Sequence, residues 1–432
     1  MSLYYNSIVY SPCNKGRGFS LIELLVGMTI ALIATLIITQ VFVSQESVKR
    51  TATSAGDAQQ SGAYSSYALE RYVQSAGAGL SHLSNVWGCP LKVWKNNVAV
   101  IPLPSTVSPA SASYVSAFYT PINTALAGGS LRAAPILIIN GGGDSNSGAS
   151  DPTPDRLIIM SGQHETLSMP FTTTARPTTT AVALNSTVGI NQKASTSTSP
   201  KDLLIAVDQD TTGGTTSVSD CRIVQANESL PTATPVAPVT VKTVSNPLVL
   251  NNAPYTPTSP AALNGYSATV QLANLGSSPR FIAIAIGSDG STANTLMAYD
   301  MLQLSTTAPI SLADGVVNIQ AVYGVASAPD QTAVSTWETP TGTWGFSTLM
   351  DGSAASQTNI SRLRAVRIAV VTRSAQPEKT AVSPISWTLF SDLATNVSGT
   401  RTTTGALPEV NFRYRNYDLT IPLRNMLLMN NS

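Results

Sequence analysis

Histidine, cysteine and charged residues are scarce in this chain of 432 residues. It has two His and three Cys, too few for a histidine-based metal centre or a zinc ribbon. Charged residues make up 11% of the chain, against about 25% in a typical soluble protein. The 24 basic side chains balance 23 acidic ones, whereas a nucleic-acid-binding protein normally carries a basic excess. We therefore expect no nucleic acid among the partners.

Catalytic and metal-binding motifs are also missing. The sequence contains no G-x-S-x-G, H-E-x-x-H or G-x-x-x-x-G-K-[ST] pattern, which would indicate a serine hydrolase, a metalloprotease or a nucleotide-binding loop. Two acidic segments, 144–155 and 208–219, begin like calcium loops. However, Ala149 and Ser219 stand where such a loop needs Gly and Glu. We predict no catalytic residue, no metal site and no cofactor, and hence that the chain is not an enzyme.

One long apolar run stands out near the N-terminus. Residues 24–43 carry no charge, and as a helix this run spans about 30 Å, the thickness of a bilayer core. Lys15 and Arg17 precede it, which predicts a cytoplasmic N-terminus and a translocated remainder. The run is longer than that of a secretory signal, and no A-x-A site closely follows it. A plain membrane anchor leaves Glu23 unexplained, because a buried acid costs about 2.5–3.5 kcal/mol on insertion scales.

The segment GFSLIE at 18–23 resembles the class III signal of type IV pilins and pseudopilins. The resemblance implies that a prepilin peptidase cuts between Gly18 and Phe19 and that the new N-terminus of Phe19 is methylated. Glu23 then becomes the fifth residue of the mature chain. In an apolar bundle of helices, the Phe19 amine and the Glu23 carboxylate of an adjacent subunit would neutralise each other, because either charge alone is costly there. This pairing would also set the register between subunits.

The fold predicted from the pattern is α+β: a long N-terminal helix, then a large antiparallel β-rich globular domain of pilin type. Residues 44–76 lack proline and end at Gly77 and Gly79, which favours a helix that continues past the membrane and is capped there. Tyr64, Ala68, Leu69, Tyr72 and Val73 lie at helical spacing and predict one packed face. Gly56 and Gly62 are candidate positions for bends. Short apolar runs bounded by turn residues predict strands at 135–140, 156–160, 203–207, 221–225, 281–286, 316–323, 366–372 and 417–422.

These patterns divide the chain into three parts. They are a leader peptide at 1–18, a helix at 19–79 with its transmembrane part at 19–43, and a β-rich periplasmic or extracellular domain at 80–432. Two Thr- and Ser-rich segments, 171–200 and 231–260, are expected to be long surface loops or edge excursions.

Four further segments resemble the PilW family of minor pilins: 61–79, 312–325, 363–374 and 417–425. This resemblance implies a structural minor pilin that helps to prime pilus assembly near the tip and supports adhesion or motility. It also implies these partners: the lipid bilayer, prepilin peptidase, other minor pilins, the major pilin, the inner-membrane assembly platform and a tip adhesin. The protein would reside in the inner membrane as a single-pass protein and then move to the extracellular pilus.

Two alternatives stay open: a J-type minor pseudopilin of type II secretion, and a membrane-tethered periplasmic binding protein or enzyme.

The cysteines suggest a disulfide. If Cys13 leaves with the leader, Cys89 and Cys221 remain outside the inner membrane, where oxidation is favoured. We predict that they form a bond; the alternative is two buried thiols.

Overall fold

A helix of 54 residues, α1 (Leu21–Gln74), is the first element of the structure. In this computed structural model the described residues are 20–83, 85–95, 98–101, 122, 124, 126, 129–141, 153–163, 170–177, 181–185, 190, 202–208, 220–227, 248–250, 266–267, 269–287, 294–302, 309–394, 397–401, 403–404 and 409–427. The chain divides into two units, Met1–Ser54 and Ala55–Ser432. The first contains the apolar part of α1, and the second contains its last turns and the β-rich domain.

The β-rich domain follows the helix as predicted. Its strands, in chain order, are β1 (Leu91–Lys95), β2 (Val98–Ile101), β3 (Ile136–Ile139), β4 (Arg156–Ser161), β5 (Phe171–Thr172), β6 (Ala181–Val182), β7 (Leu203–Asp208), β8 (Cys221–Asn227), β9 (Leu248–Leu250), β10 (Val270–Gly276), β11 (Arg280–Gly287), β12 (Thr295–Asp300), β13 (Ile310–Asp314), β14 (Val316–Val325), β15 (Thr336–Glu338), β16 (Leu363–Arg373), β17 (Ser386–Leu389), β18 (Val397–Thr400) and β19 (Tyr414–Pro422). Short helices lie at Phe346–Leu349, Ala354–Ser361 and Arg424–Leu427, with 3-10 turns at Gly342–Trp344 and Glu409–Asn411.

Within the described residues these strands form four sheets. The eight-stranded sheet has the order β2-β1-β8-β7-β10-β5, with β9 pairing β8 and β6; the five-stranded sheet is β13-β12-β11-β4-β3; and the four-stranded sheet is β15-β14-β16-β19. β17 and β18 form a separate hairpin. The described pairings are antiparallel except for β1 with β8, where Leu91 lies opposite Cys221. The α+β architecture predicted from the sequence is therefore confirmed.

A single glycine, Gly315, forms the bend between the last strand of the five-stranded sheet and the first strand of the four-stranded sheet. β13 ends at Asp314 and β14 begins at Val316, and Gly315 between them has φ +73°. This left-handed conformation is one that residues with a Cβ rarely adopt. The Gly315 carbonyl also accepts a hydrogen bond from the N–H of Arg373 at 2.9 Å, so the bend is fixed to β16.

The four-stranded sheet is covered on both faces. One face contributes Ile319, Val366, Ile368 and Val370 to the main core, which also contains Leu69 and Val73 of α1. The other face carries a second apolar cluster, formed with the long excursion 374–413 between β16 and β19: Val322, Ala369, Val371, Leu389, Phe390 and Val397. This sheet therefore connects the end of the helix to the excursion.

The Thr- and Ser-rich segments contribute short strands where they are described. β5 and β6 lie in 171–200, and β9 lies in 231–260. Val182, Leu184 and Ile190 are buried in a separate apolar cluster with Leu204, Val224 and Leu272. The apolar residues scattered among the threonines therefore anchor the first segment, and most of the second lies outside the described residues.

Candidate functional site

The first turn of α1 contains the acidic residue on which the pilin-like signal depends. Ser20 directly precedes the helix; its Oγ accepts from the N–H of Glu23 at 3.2 Å, and its carbonyl accepts from the N–H of Leu24 at 3.1 Å. Ser20 is thus the N-cap. Glu23 is exposed in the first turn, where the positive end of the helix dipole favours an acid by about 0.3–1 kcal/mol. Gly18 and Phe19, the predicted processing residues, lie outside the described residues, as do Cys13 and the rest of the leader.

The large apolar side chains that the structure describes in the first unit are exposed. Leu21 is 82% exposed and Phe42 is 74% exposed, and α1 is long and apolar enough to cross a membrane. Its threonine hydroxyls do not need water, because Thr29, Thr35 and Thr39 each donate to a carbonyl one turn earlier, at 2.8, 2.6 and 2.9 Å. Polar groups satisfied within the helix are what a lipid environment requires.

In the second unit, the last turns of α1 are held against the four-stranded sheet by polar contacts. The Thr372 hydroxyl donates to the carbonyl of Ala58 at 3.1 Å, and the Tyr417 hydroxyl donates to the carbonyl of Gln59 at 3.1 Å. Past the helix end, Gly77 and Gly79 have φ +77° and +72°, which confirms the predicted glycine stop. The Gly77 N–H donates to the carbonyl of Met160 at 2.8 Å.

The sequence identified most of the packed face of this helix. Leu69 and Val73 are fully buried and Ala68 is 9% exposed, as predicted. Tyr64 is 55% exposed, so the prediction for that side chain is wrong. Ser65 is fully buried instead, and its hydroxyl donates to the Gly62 carbonyl at 3.0 Å. A small, internally bonded side chain allows the helix to approach the sheet more closely than a tyrosine would.

Gly62 lies directly beneath the ring of Tyr417. A Cβ added at Gly62 would overlap that ring, whereas one added at Gly56 would meet nothing within 4 Å. α1 is continuous through both glycines, so neither causes a bend. Position 62 is therefore packed too tightly for a side chain, because the ring of Tyr417 on β19 lies against it. The sequence alone does not show this, because it does not show which residue of β19 lies next to Gly62.

We expect opposite effects from alanine at these two glycines. Gly56→Ala should raise the unfolding free energy by about 1 kcal/mol, because alanine is the better helix former. Gly62→Ala should lower it by about 1–3 kcal/mol, because the ring must move as in an overpacked core. Urea unfolding of the purified protein, followed by circular dichroism, measures both.

A third variant isolates the contact. In a Tyr417→Ala background, Gly62→Ala should no longer destabilise, since the overlapping ring is gone. If Gly62→Ala cost the same in both backgrounds, the ring contact would not be the cause.

The predicted disulfide is present between Cys89 and Cys221, whose Cα atoms are 5.7 Å apart. Both residues are fully buried. The bond joins the segment just after the helix to the first residue of β8, beside the short parallel pairing of β1 and β8. An ion pair between Lys92 on β1 and Asp220, the residue before β8, has Nζ and Oδ2 2.5 Å apart.

Arg367 fastens the excursion 374–413 to the four-stranded sheet. Its guanidinium donates to both carboxylate oxygens of Asp418 on β19, at 2.8 and 2.6 Å. It also donates to both oxygens of Asp392 on the excursion, at 2.7 and 2.9 Å. Hydrogen bonding to Asp418 and then Asp392 raises the pKa of Arg367 further, and the same contact lowers the pKa of Asp392. This clamp could not be predicted from the sequence, because its three members, Arg367, Asp392 and Asp418, are far apart along the chain.

No cluster of three or more His, Cys, Asp or Glu side chains that could hold a metal occurs in the part of the chain that the structure describes. The predicted processing and assembly positions also lie far from the disulfide cysteines in sequence. The S-x-x-E pattern at 20–23 is a capping-box signature, and it could have identified Ser20 as a helix cap from the sequence. The candidate functional site is therefore a surface, formed by the start and the uncovered apolar length of α1.

Two protein-family models match the chain. Residues 13–39 match the model described as the prokaryotic N-terminal methylation motif, and residues 284–425 match that of type IV pilus-assembly protein W. The second match extends from β11 to the short helix after β19. No curated protein and no solved structure shows significant similarity.

The two matches agree with the structure. The methylation motif covers the cap, Glu23 and much of the apolar helix, and implies processing by prepilin peptidase and interaction with other pilus components. These features are those of an inner-membrane-anchored pilin that later joins the pilus. The PilW match covers the four-stranded sheet that holds the helix end. The chain is accordingly a type IV pilin-like protein with a class III prepilin signal, and residues 284–425 are similar to the PilW family of minor pilins.

Proposed function

We propose that the chain is a structural minor pilin that helps to prime pilus assembly near the tip and supports adhesion or motility, without enzymatic activity of its own. The observation that carries this proposal is the combination of an uncovered apolar helix with an acid in its first turn. An enzyme or binding protein tethered to a membrane would need the apolar helix but not the acid. The match to type IV pilus-assembly protein W favours a pilus over a secretion system.

In this proposal, cleavage between Gly18 and Phe19 creates a free amine one residue before the helix cap. Glu23 lies in the first turn, and in the assembled fibre its carboxylate neutralises the amine of an adjacent subunit. The apolar side chains of 21–43 leave lipid and pack against neighbouring helices, so apolar contact provides the attraction and the ion pair provides the register. The partners are other minor pilins, the major pilin, the assembly platform and a tip adhesin.

The division of the chain follows from the same proposal. Residues 1–18 are the leader, 19–79 the helix with its transmembrane part at 19–43, and 80–432 the periplasmic or extracellular domain. The boundary near residue 79 is supported by the positive φ angles of Gly77 and Gly79, after which the chain turns into the β-rich domain.

Glu23→Ala tests the function directly. The variant should still insert in the membrane, because it loses a charge that is costly in lipid. Its incorporation into sheared fibres should fall at least about tenfold, since an unpaired buried amine costs about 3–5 kcal/mol. Immunoblots of membrane and fibre fractions measure both quantities.

Glu46→Ala is the matched control. Glu46 is another exposed acid on α1, beyond the apolar run, and its loss should leave incorporation unchanged. Normal fibre content and normal co-purification of partner pilins in the Glu23→Ala strain would refute the assembly role of Glu23.

A further inference from the structure

A cleft of about 250 Å³ opens between the four-stranded sheet and the excursion 374–413. Its volume is slightly below the roughly 300–1,000 Å³ of pockets that hold drug-sized ligands. The cleft is therefore of the right size for a small molecule that contains a single ring. The side chains that matter most to its chemistry are those of Asn318, Arg373, Trp387, Arg401, Glu409 and Tyr414. None of them belongs to the helix or to the assembly surface described above.

Two arginines in this cleft are held in place by aromatic rings. The guanidinium carbon of Arg373 lies 4.3 Å from the ring centroid of Phe412, and that of Arg401 lies 4.1 Å from the ring centroid of Tyr414. The Nη1 of Arg401 also donates to the carbonyl of Pro384 at 2.8 Å. A stacked guanidinium keeps N–H groups at its edge available for a planar acceptor. Because the rings already order these side chains, less entropy is lost when a ligand binds.

The charge of the lining favours an anion. Among the described residues that line the cleft, two are basic, Arg373 and Arg401, and one is acidic, Glu409. Within the described ranges, no acidic side chain lies within ion-pair distance of Arg373. A carboxylate is the anion whose shape matches the fork of a guanidinium.

The rest of the lining suits a ring that carries hydroxyl groups. Trp387 is partly exposed and provides an aromatic face, while Asn294, Asn318 and Thr153 add amide and hydroxyl groups. The Asn318 Oδ1 accepts from Gln320 at 2.9 Å, which fixes the orientation of that amide. Burial raises the pKa of Tyr414, so its hydroxyl keeps its proton and can donate at neutral pH.

We propose that this cleft binds a small saccharide that carries a carboxylate, a hexuronate being the simplest example. Arg373 holds the carboxylate, Trp387 packs against the ring, and the amides bind the hydroxyl groups. Three properties of the cleft together define the ligand: its charge, its size and its aromatic face. Binding does not depend on the pilus role, because the cleft shares no residue with the assembly surface.

The experiment is a titration of the purified full-length protein in detergent with glucuronate, glucose or acetate, followed by isothermal calorimetry or by NMR of the sugar. Glucuronate should bind with a Kd of about 1 mM or below, and glucose and acetate at least about tenfold more weakly. Arg373→Gln should weaken glucuronate binding at least about tenfold. The matched control is Arg415→Gln, which removes an exposed arginine that lies opposite Thr372 in the same sheet but does not line the cleft, and it should bind like the wild type.

Trp387→Ala provides a second variant in case Arg373→Gln fails to fold, and it should also weaken glucuronate at least about tenfold. Fibre content should be unchanged in both variants, which separates this proposal from the assembly role. Any of four results would overturn the proposal: no glucuronate binding up to about 10 mM, glucose binding as tight as glucuronate, acetate binding as tight as glucuronate, or glucuronate binding unaffected by both variants.

Discussion

Cells that produce the Gly18→Leu variant are expected to accumulate the uncleaved precursor and to contain almost no mature protein. The resemblance of 18–23 to a class III signal places Gly18 immediately before the cut, where the peptidase accepts a small residue. A leucine there is bulky, so the bond to Phe19 should not reach the catalytic groups. Immunoblots of membranes resolve the two forms, which differ by 18 residues, and N-terminal sequencing identifies the mature end.

Two control variants distinguish the effect of side-chain size from the effect of the position of the residue in the leader. Gly18→Ala keeps a small residue before the cut and should still be processed. Gly16→Leu makes the same bulky change two residues earlier in the leader and should also be processed. Mature-sized protein in the Gly18→Leu strain would contradict the predicted need for a small residue before the cut. A wild-type mature chain that begins at a residue other than Phe19 would show that the leader has been assigned wrongly.

Most of the strands that the sequence revealed contain a buried apolar run. β3 reads ILII and β4 reads RLIIM before its last serine, and the two strands pair in the five-stranded sheet. All eight predicted segments correspond to strands: β3, β4, β7, β8, β11, β14, β16 and β19. Seven of these strands are longer than predicted, because neighbouring strands supply partners that the sequence does not show, whereas β3 is one residue shorter at each end.

Some of the elements that the sequence missed are polar or weakly patterned. The strands β17 and β18 read SWTL and VSGT, and they pair mainly with each other. The helix Ala354–Ser361 reads AASQTNIS, without an apolar stripe, and depends on Ser353, whose side chain accepts from the N–H of Ser356. Local patterns cannot indicate elements that tertiary packing and a single cap stabilise.

The buried charge of Arg364 is another feature that could not be predicted from the sequence. Arg364 is 2% exposed, although arginine is almost never buried without partners. Its guanidinium donates to the carbonyls of Pro329, Gln331 and Ser361 at 2.5, 2.6 and 2.7 Å, and burial lowers its pKa. The partners are backbone carbonyls, so no pairing of residue types in the sequence could have predicted this contact. The Arg367 clamp was missed for the same reason, because its members meet only in the folded chain. The glycine stop and the disulfide were found because each depends on a residue type that is visible in the sequence.

Removal of the Cys89–Cys221 bond is expected to have the largest effect on stability. Its sequence separation is 132 residues, and closing a loop of that length restricts the unfolded chain by about 5 kcal/mol in the chain-entropy model. Residual structure in the unfolded chain reduces this value. We therefore expect Cys89→Ala/Cys221→Ala to lower the unfolding free energy by about 2.5–5 kcal/mol, measured by urea unfolding of the purified mature protein.

The lost crosslink must be distinguished from the lost sulfur atoms, since both cysteines are fully buried and alanine leaves a small void. Unfolding of the wild type with and without a reductant removes the crosslink but keeps the sulfurs. If the crosslink dominates, the reduced wild type and the double variant should unfold at nearly the same urea concentration. Cys13→Ala is the matched control and should change nothing, because Cys13 is expected to leave with the leader. Two free thiols in a mass measurement of mature protein, or equal stability with and without reductant, would show that the bond does not hold the end of the helix to the β-rich domain.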